Sequence, residues 1–183
     1  MSNLDVLLAR NRAFAGSGGH HDVPLNPRQQ LFVITCLDPR TDPAAFLGLQ
    51  GGDAMVIRNA GGRVSPVVID DVAFISYLAE NMAPDGPLFE VAVVHHTGCG
   101  TGLLANDEFR HGLVQRTGLD ERDLLATAVV DPAQTVRTDV ERLLSSDLLS
   151  ARLSVSGHVY TLATGLVDTI LTPAHPHAAR IPR

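Results

Sequence analysis

Three short apolar runs constrain the fold most strongly. LFVI at residues 31–34 precedes TCLD, AMVI at 54–57 precedes RNAGG, and VAVV at 91–94 precedes HHTGCG. Each run lacks polar alternation and ends abruptly in polar residues or glycine, as does a strand buried on both faces of a parallel sheet. The segments between them have helical character. DPAAFLGL at 42–49 is short, whereas 67–82 places Val68, Val72, Ile75, Leu78 and Ala79 along one stripe before Pro84 stops it. Alternating strand and helix implies right-handed crossovers and an α/β fold, a mainly parallel central sheet flanked by helices.

Beyond residue 100, helical stretches are expected around 103–115, 120–129 and 133–146. Residues 151–171 read as one more strand, a turn near Gly157 and a further extended piece. No internal repeat or domain boundary interrupts the chain. The expected organisation is an N-terminal helical arm at 1–20, a single α/β domain at 28–171, and a C-terminal tail at 172–183 that carries three prolines. In the arm, Ser2 or Asn3 can cap a short amphipathic helix whose stripe is Leu4, Leu7, Leu8 and Phe14.

Charge narrows the partners. The net charge is −6 and no basic run or stripe is present, so neither nucleic acid nor an acidic membrane surface is an expected partner. No window approaches the roughly 18 apolar residues of a membrane span, and the start lacks the basic and long apolar regions of a signal peptide. The expected compartment is therefore the cytoplasm, where a disulfide between the chain's two cysteines, Cys36 and Cys99, would be unusual.

In open α/β sheets, ligands gather beyond the carboxyl ends of strands. Both cysteines fall there. If the chain stays extended through TCLDPR, side chains 36, 38 and 40 point the same way, and Pro39 favours extended angles at Asp38. A thiol, a carboxylate and a guanidinium would then enter one space. In the second cluster, His96 closes a strand, Gly98 permits a sharp turn, and Cys99 sits where a helix could begin. Two thiolates and an imidazole on converging strand ends match a zinc site with three protein ligands and an open fourth position. Asp38 could close that position, or be held away by Arg40 in a forked pair.

CLDPR at 36–40, RNAGG at 58–62 and HHTGCG at 95–100, in this order and spacing, resemble the β-class carbonic anhydrases. The match is good over residues 30–102. It implies zinc as cofactor, with Cys36, His96 and Cys99 as ligands and Asp38 and Arg40 as the catalytic dyad in which arginine keeps aspartate off the metal. It further implies reversible hydration of carbon dioxide to bicarbonate and a proton by zinc-bound hydroxide, and a homodimer, in some relatives paired into tetramers, with the arm embracing the neighbouring subunit. Two departures stand out. Gly98 replaces the aspartate that many members carry before the second cysteine, and the absence of Trp removes a bicarbonate pocket built on it in some relatives.

Rival readings are a carbonyl sulfide or carbon disulfide hydrolase of the same fold, a non-catalytic zinc-binding carbonic anhydrase-like protein, and a nucleotide-binding α/β domain. The last is disfavoured because no G-x-G-x-x-G or P-loop follows the first strand. Arg58, Asn59, Gly61 and Gly62 either shape the pocket floor or serve a strand-to-helix turn. His95, on the opposite side of its strand from His96, is expected in a core or supporting role. His20, His21, His111 and His158 read as surface or structural histidines, while His175 and His177 could bind stray metal or relay protons.

Overall fold

A computed structural model describes residues 2–82 and 85–176. Five strands form one sheet in the order β2-β1-β3-β4-β5: β1 Leu31–Cys36, β2 Ala54–Asn59, β3 Glu90–His96, β4 Ser154–Thr161 and β5 Leu166–Ala174. β1 pairs in parallel with β2 and with β3, and β3 with β4; only β5 is antiparallel. The three apolar runs are thus adjacent parallel strands. From β1 the chain moves outward to β2, then crosses back to lay β3 on the other side of β1. The strand order therefore reverses between β1 and β3, where α/β sheets open a crevice.

Among the described residues, six α-helices accompany the sheet: α1 Asp5–Gly16, α2 Pro43–Phe46, α3 Pro66–Met82, α4 Asp107–Thr117, α5 Glu121–Thr127 and α6 Pro132–Leu144. Local chemistry sets their starts. The Asn106 side chain accepts from Phe109 N–H, Asp120 from Arg122 and Asp123, and Asp131 from Ala133 and Gln134, each satisfying donors that a first helical turn leaves unpaired. Phe32, Ile34, Val91, Val93 and Val155 pack against Val68 and Val72 of α3 and Val136, Val140 and Leu143 of α6. Val33, Ala92 and Val94, pointing the other way, are buried as well, which accounts for the missing polar alternation.

Three local expectations change. The strand of 154–161 runs straight through Gly157, and the turn falls at 162–165. Gly157 is there for close packing: a Cβ would lie 3.0 Å from Val140 and 3.3 Å from Val136 of α6, and the β4–β5 register shifts around it. The final strand reaches Ala174, so residues 172–174 belong to the sheet rather than to a tail, and His175 Nδ1 lies 2.6 Å from the Leu153 carbonyl. The helix of 42–49 is short as expected, a single turn at Pro43–Phe46. In α1, neither Ser2 nor Asn3 is the capping residue; Ser2 N–H donates to the Asp5 carboxylate instead (2.8 Å). Helix α1 buries none of its residues, and Leu4, Leu7, Leu8 and Phe14 are all exposed. Pro84 and His177 lie outside the described residues.

Candidate metal centre

The crevice between β1 and β3 is built from their last residues. Cys36 ends β1, His96 ends β3, and Cys99 follows after a turn in which Gly98 adopts φ +65°. Cys99 then precedes a 3-10 turn, Gly100–Ala105. Cys36 Sγ and Cys99 Sγ, 63 residues apart in sequence, are 3.9 Å from each other. These two sulfurs and a ring nitrogen of His96 all lie within 4.8 Å of one another, and all three residues are buried.

The placement of the donor atoms suits a cation. His96 Nδ1 lies 3.0 Å from the Thr97 carbonyl, to which it donates, so the Nε2 lone pair is free. Nε2 is buried and has no hydrogen-bond partner among the described residues, an arrangement that costs free energy unless something else meets it. The hydrogen bond from Cys36, opposed by burial and aided by His96 and Thr101, pulls the Cys99 thiol well below its ordinary range. The hydrogen bond to Cys99, with burial, drives the Cys36 thiol up. Burial opposes charge on His96, but Cys99 beside it outweighs that and raises the imidazole. Two soft sulfurs and an imidazole, converging around an orphaned nitrogen, form a donor set that fits zinc.

Asp38 reaches the site by a different route from the extended one expected. The strand ends at Cys36, and Pro39–Thr41 forms a 3-10 turn in which the Asp38 side chain accepts from the Arg40 N–H. This turn brings Arg40 back onto Asp38: Nε lies 2.9 Å from Oδ1 and Nη2 2.6 Å from Oδ2. Arg40 Nη2 also donates to the Gly98 carbonyl at 3.1 Å, tying the first motif to the second. The hydrogen bonds from Arg40 hold the Asp38 carboxyl far below the usual carboxylate range. Arg58, from β2, donates to the carbonyls of Cys36 (3.0 Å) and Asp38 (2.7 Å), fixing the loop between them.

The RNAGG turn is a close-packing device. Gly62 has φ +67°, and a Cβ there would lie 2.8 Å from Thr35 C and 2.9 Å from Cys36 N. Asn59 clamps the turn by exchanging two 2.8 Å hydrogen bonds with the Arg63 backbone.

Sequence reasoning missed a buried ionic cluster behind the site. Arg63 Nε and Nη2 grip Asp139 of α6 at 2.6 and 3.0 Å, Val64 N–H donates to it at 3.1 Å, and Arg142 adds a bond at 2.8 Å. His95, fully buried, places Nε2 3.3 Å from Asp139 Oδ2 and 3.1 Å from the Gly62 carbonyl, with Nδ1 2.8 Å from Thr135 Oγ1. The signal was legible in α6, where Asp139 falls on the stripe of Val136, Val140 and Leu143. A carboxylate on a buried stripe requires a buried cation. His95 is in the supporting position expected of it. His20, His21 and His111 are exposed, and His158 bridges Ser156 and Thr169.

Fold and site together define an α/β protein with a buried Cys–His–Cys cluster, able to hold a metal ion, at the switch point of its sheet. A family model described as carbonic anhydrase matches residues 31–167. The chain is 29% identical over 170 residues to β-carbonic anhydrase 1 of Mycobacterium tuberculosis, covering 93% of this chain and 99% of that one. A crystal structure of carbonic anhydrase from Streptococcus mutans superposes with a TM-score of 0.77 at 33% identity, covering 93% of this chain and 98% of the other. A carbon disulfide hydrolase of Acidianus is 28% identical over 165 residues, covering 78% and 76%. The chain belongs to the β-class carbonic anhydrase family.

Proposed function

We propose that this protein catalyses the reversible hydration of carbon dioxide to bicarbonate and a proton, with zinc held by Cys36, His96 and Cys99. The observation that carries the reading is the buried, partnerless His96 Nε2 facing two sulfurs 3.9 Å apart, inside a chain of this family. When bound, zinc supplies a Lewis acid that acidifies water and neutralises negative charge developing on the attacked substrate.

The chain's own residues do the rest. Asp38, ionised and locked by Arg40, is an acceptor: it takes a hydrogen bond from the attacking water and aims the remaining lone pair at the carbon. Arg40 occupies both Asp38 oxygens, which keeps the carboxylate from becoming a fourth ligand. Arg58 and Gly62 hold the Cys36–Asp38 loop against β2, so the acceptor and the ligand keep one spacing. We assign residues 1–20 as an arm that packs its exposed leucines on a second copy of the chain, giving a homodimer.

The second reading, hydrolysis of carbon disulfide or carbonyl sulfide, is favoured by the similarity to the Acidianus enzyme. The same acceptor and ligands serve attack on either linear molecule. The deciding experiment is zinc analysis of the purified protein coupled to stopped-flow carbon dioxide hydration, with sulfide release from carbon disulfide measured in parallel. Zinc near one per chain with rapid hydration and no sulfide supports the primary reading. Sulfide release without hydration supports the second, and zinc-loaded protein inactive toward both leaves a non-catalytic zinc protein. Zinc-free protein removes the metal assignment.

A further inference from the structure

The two sulfurs of the centre are held by unequal sets of donors. Toward Cys36 Sγ point two backbone groups, Asp38 N–H at 3.4 Å and Gly61 N–H. Toward Cys99 Sγ point the backbone N–H of Thr101 and the Thr101 hydroxyl, Oγ1 lying 3.2 Å away. Three of these four donors belong to the main chain and follow from the turns themselves. The fourth depends on residue identity alone.

The surroundings keep this hydroxyl in place. Gly61 packs directly on it, since a Cβ at that position would lie 3.1 Å from Thr101 Oγ1. Gly102, the next residue, comes equally close to the Val129 carbonyl, and its N–H donates to the Cys99 carbonyl at 3.0 Å. Thr101 is thus wedged between the RNAGG turn and the segment after α5. The Cys99 sulfur, at 3.2 Å, lies within hydrogen-bond reach of this hydroxyl.

Building on the metal centre proposed above, the geometry points to Thr101 as a positioning residue whose hydroxyl donates to the Cys99 thiolate and sets how much charge that sulfur passes to the metal. A hydrogen bond to a ligating sulfur stabilises its lone pairs, reduces donation and leaves the cation a stronger Lewis acid, the tuning that partners of metal ligands commonly exert. Gly61 has a matching part: its missing side chain admits the hydroxyl, and its N–H serves the opposite sulfur.

The test uses cobalt(II) in place of zinc in the full chain, because its sulfur-to-metal charge-transfer band reports thiolate electron richness directly. Thr101→Val, nearly the same size, and Thr101→Ala should both shift that band to longer wavelength. Thr101→Ser, which restores the hydroxyl, should return it to the wild-type position. A band unmoved in Val and Ala, or moved as far in Ser, overturns the role of the hydroxyl while leaving the metal centre standing. A wild-type protein that gives no thiolate–cobalt band at all removes the metal centre, and the inference with it.

Discussion

Arg40 grips Asp38 through both oxygens, at 2.9 and 2.6 Å, from only two positions along the chain. The 3-10 turn makes this possible, because it folds residue 40 back toward residue 38 where an extended strand would have carried it onward. One arginine therefore satisfies both oxygens of a carboxylate that stands two residues from Cys36. Arg40→Ala should release Asp38 onto the metal, abolishing carbon dioxide hydration while zinc stays near one per chain. Stopped-flow rates and metal analysis check the two halves. Turnover near the wild-type rate would count against the restraining role of Arg40.

The pH profile should have no acidic limb from this pair. With Arg40 depressing its pKa, Asp38 is ionised at every pH above the ordinary carboxylate range. Its charge is lost only as pH falls well below that range, so the dyad is constant through neutrality. Two thiolates donate more charge than two imidazoles, and the metal's Lewis acidity is correspondingly weaker than in a three-histidine site, where bound water titrates near pH 7. Hydration activity is expected to climb between about pH 6 and 9. A flat profile across that window would contradict it.

The sequence exposed the strands and the Cys36–His96–Cys99 cluster for the same reason. A strand buried on both faces must be apolar, and the residues ending it must be polar if they do chemistry, so 31–36 and 91–96 announce both the sheet and the site. Strand order was not legible, because nothing local in residues 54–59 says that β2 lies outside β1 rather than beside β3. Gly157 misled for a related reason. A glycine between two extended pieces marks a turn or a close contact, and only the position of Val136 and Val140 decides between them. The Arg63–Asp139 pair spans 76 residues, and its arginine stands in a turn with no periodic pattern to betray its burial.

Metal removal should be reversible. The three candidate ligands sit on strand ends and turns held by independent hydrogen bonds, Thr41 Oγ1 to Cys36 O at 3.1 Å and Leu162 N–H to Thr97 Oγ1 at 3.0 Å among them. The fold around an emptied site should therefore persist. A chelator should abolish hydration, added zinc should restore it, and far-ultraviolet circular dichroism should scarcely change. Cys99→Ser should lose most of its zinc, as measured by atomic emission; full occupancy in that variant would remove Cys99 from the ligand set.

The exposed stripe of α1 gives a separate test of assembly. Leu4, Leu7 and Leu8 stay exposed within the chain, although fully burying such side chains is worth roughly 1.5–3 kcal/mol each. Replacing all three by Ser should shift the protein toward monomer in light scattering after size exclusion, with the sheet intact. An unchanged dimer would mean that the arm is not an interface element.

Asp139 carries the clearest stability prediction. Burial alone would push its carboxyl up, but hydrogen bonds from His95 and then Arg63 outweigh it and hold the pKa at about 2 against an ordinary 3.8. A depressed carboxylate stabilises the fold above its unfolded pKa, and that contribution drains as pH falls from about 3.8 toward 2. The difference is on the order of 2 kcal/mol. Asp139→Asn leaves Arg63 buried without its counter-charge and should cost roughly 3 kcal/mol in urea unfolding at neutral pH, since breaking a buried pair from one side is the expensive case. Arg63→Met combined with Asp139→Leu removes both charges and should cost less than Asp139→Asn alone, with His95 then relying on Thr135 and the Gly62 carbonyl. If the double variant proves the less stable of the two, the cluster stabilises through its shape and hydrogen bonds rather than through compensation of buried charge.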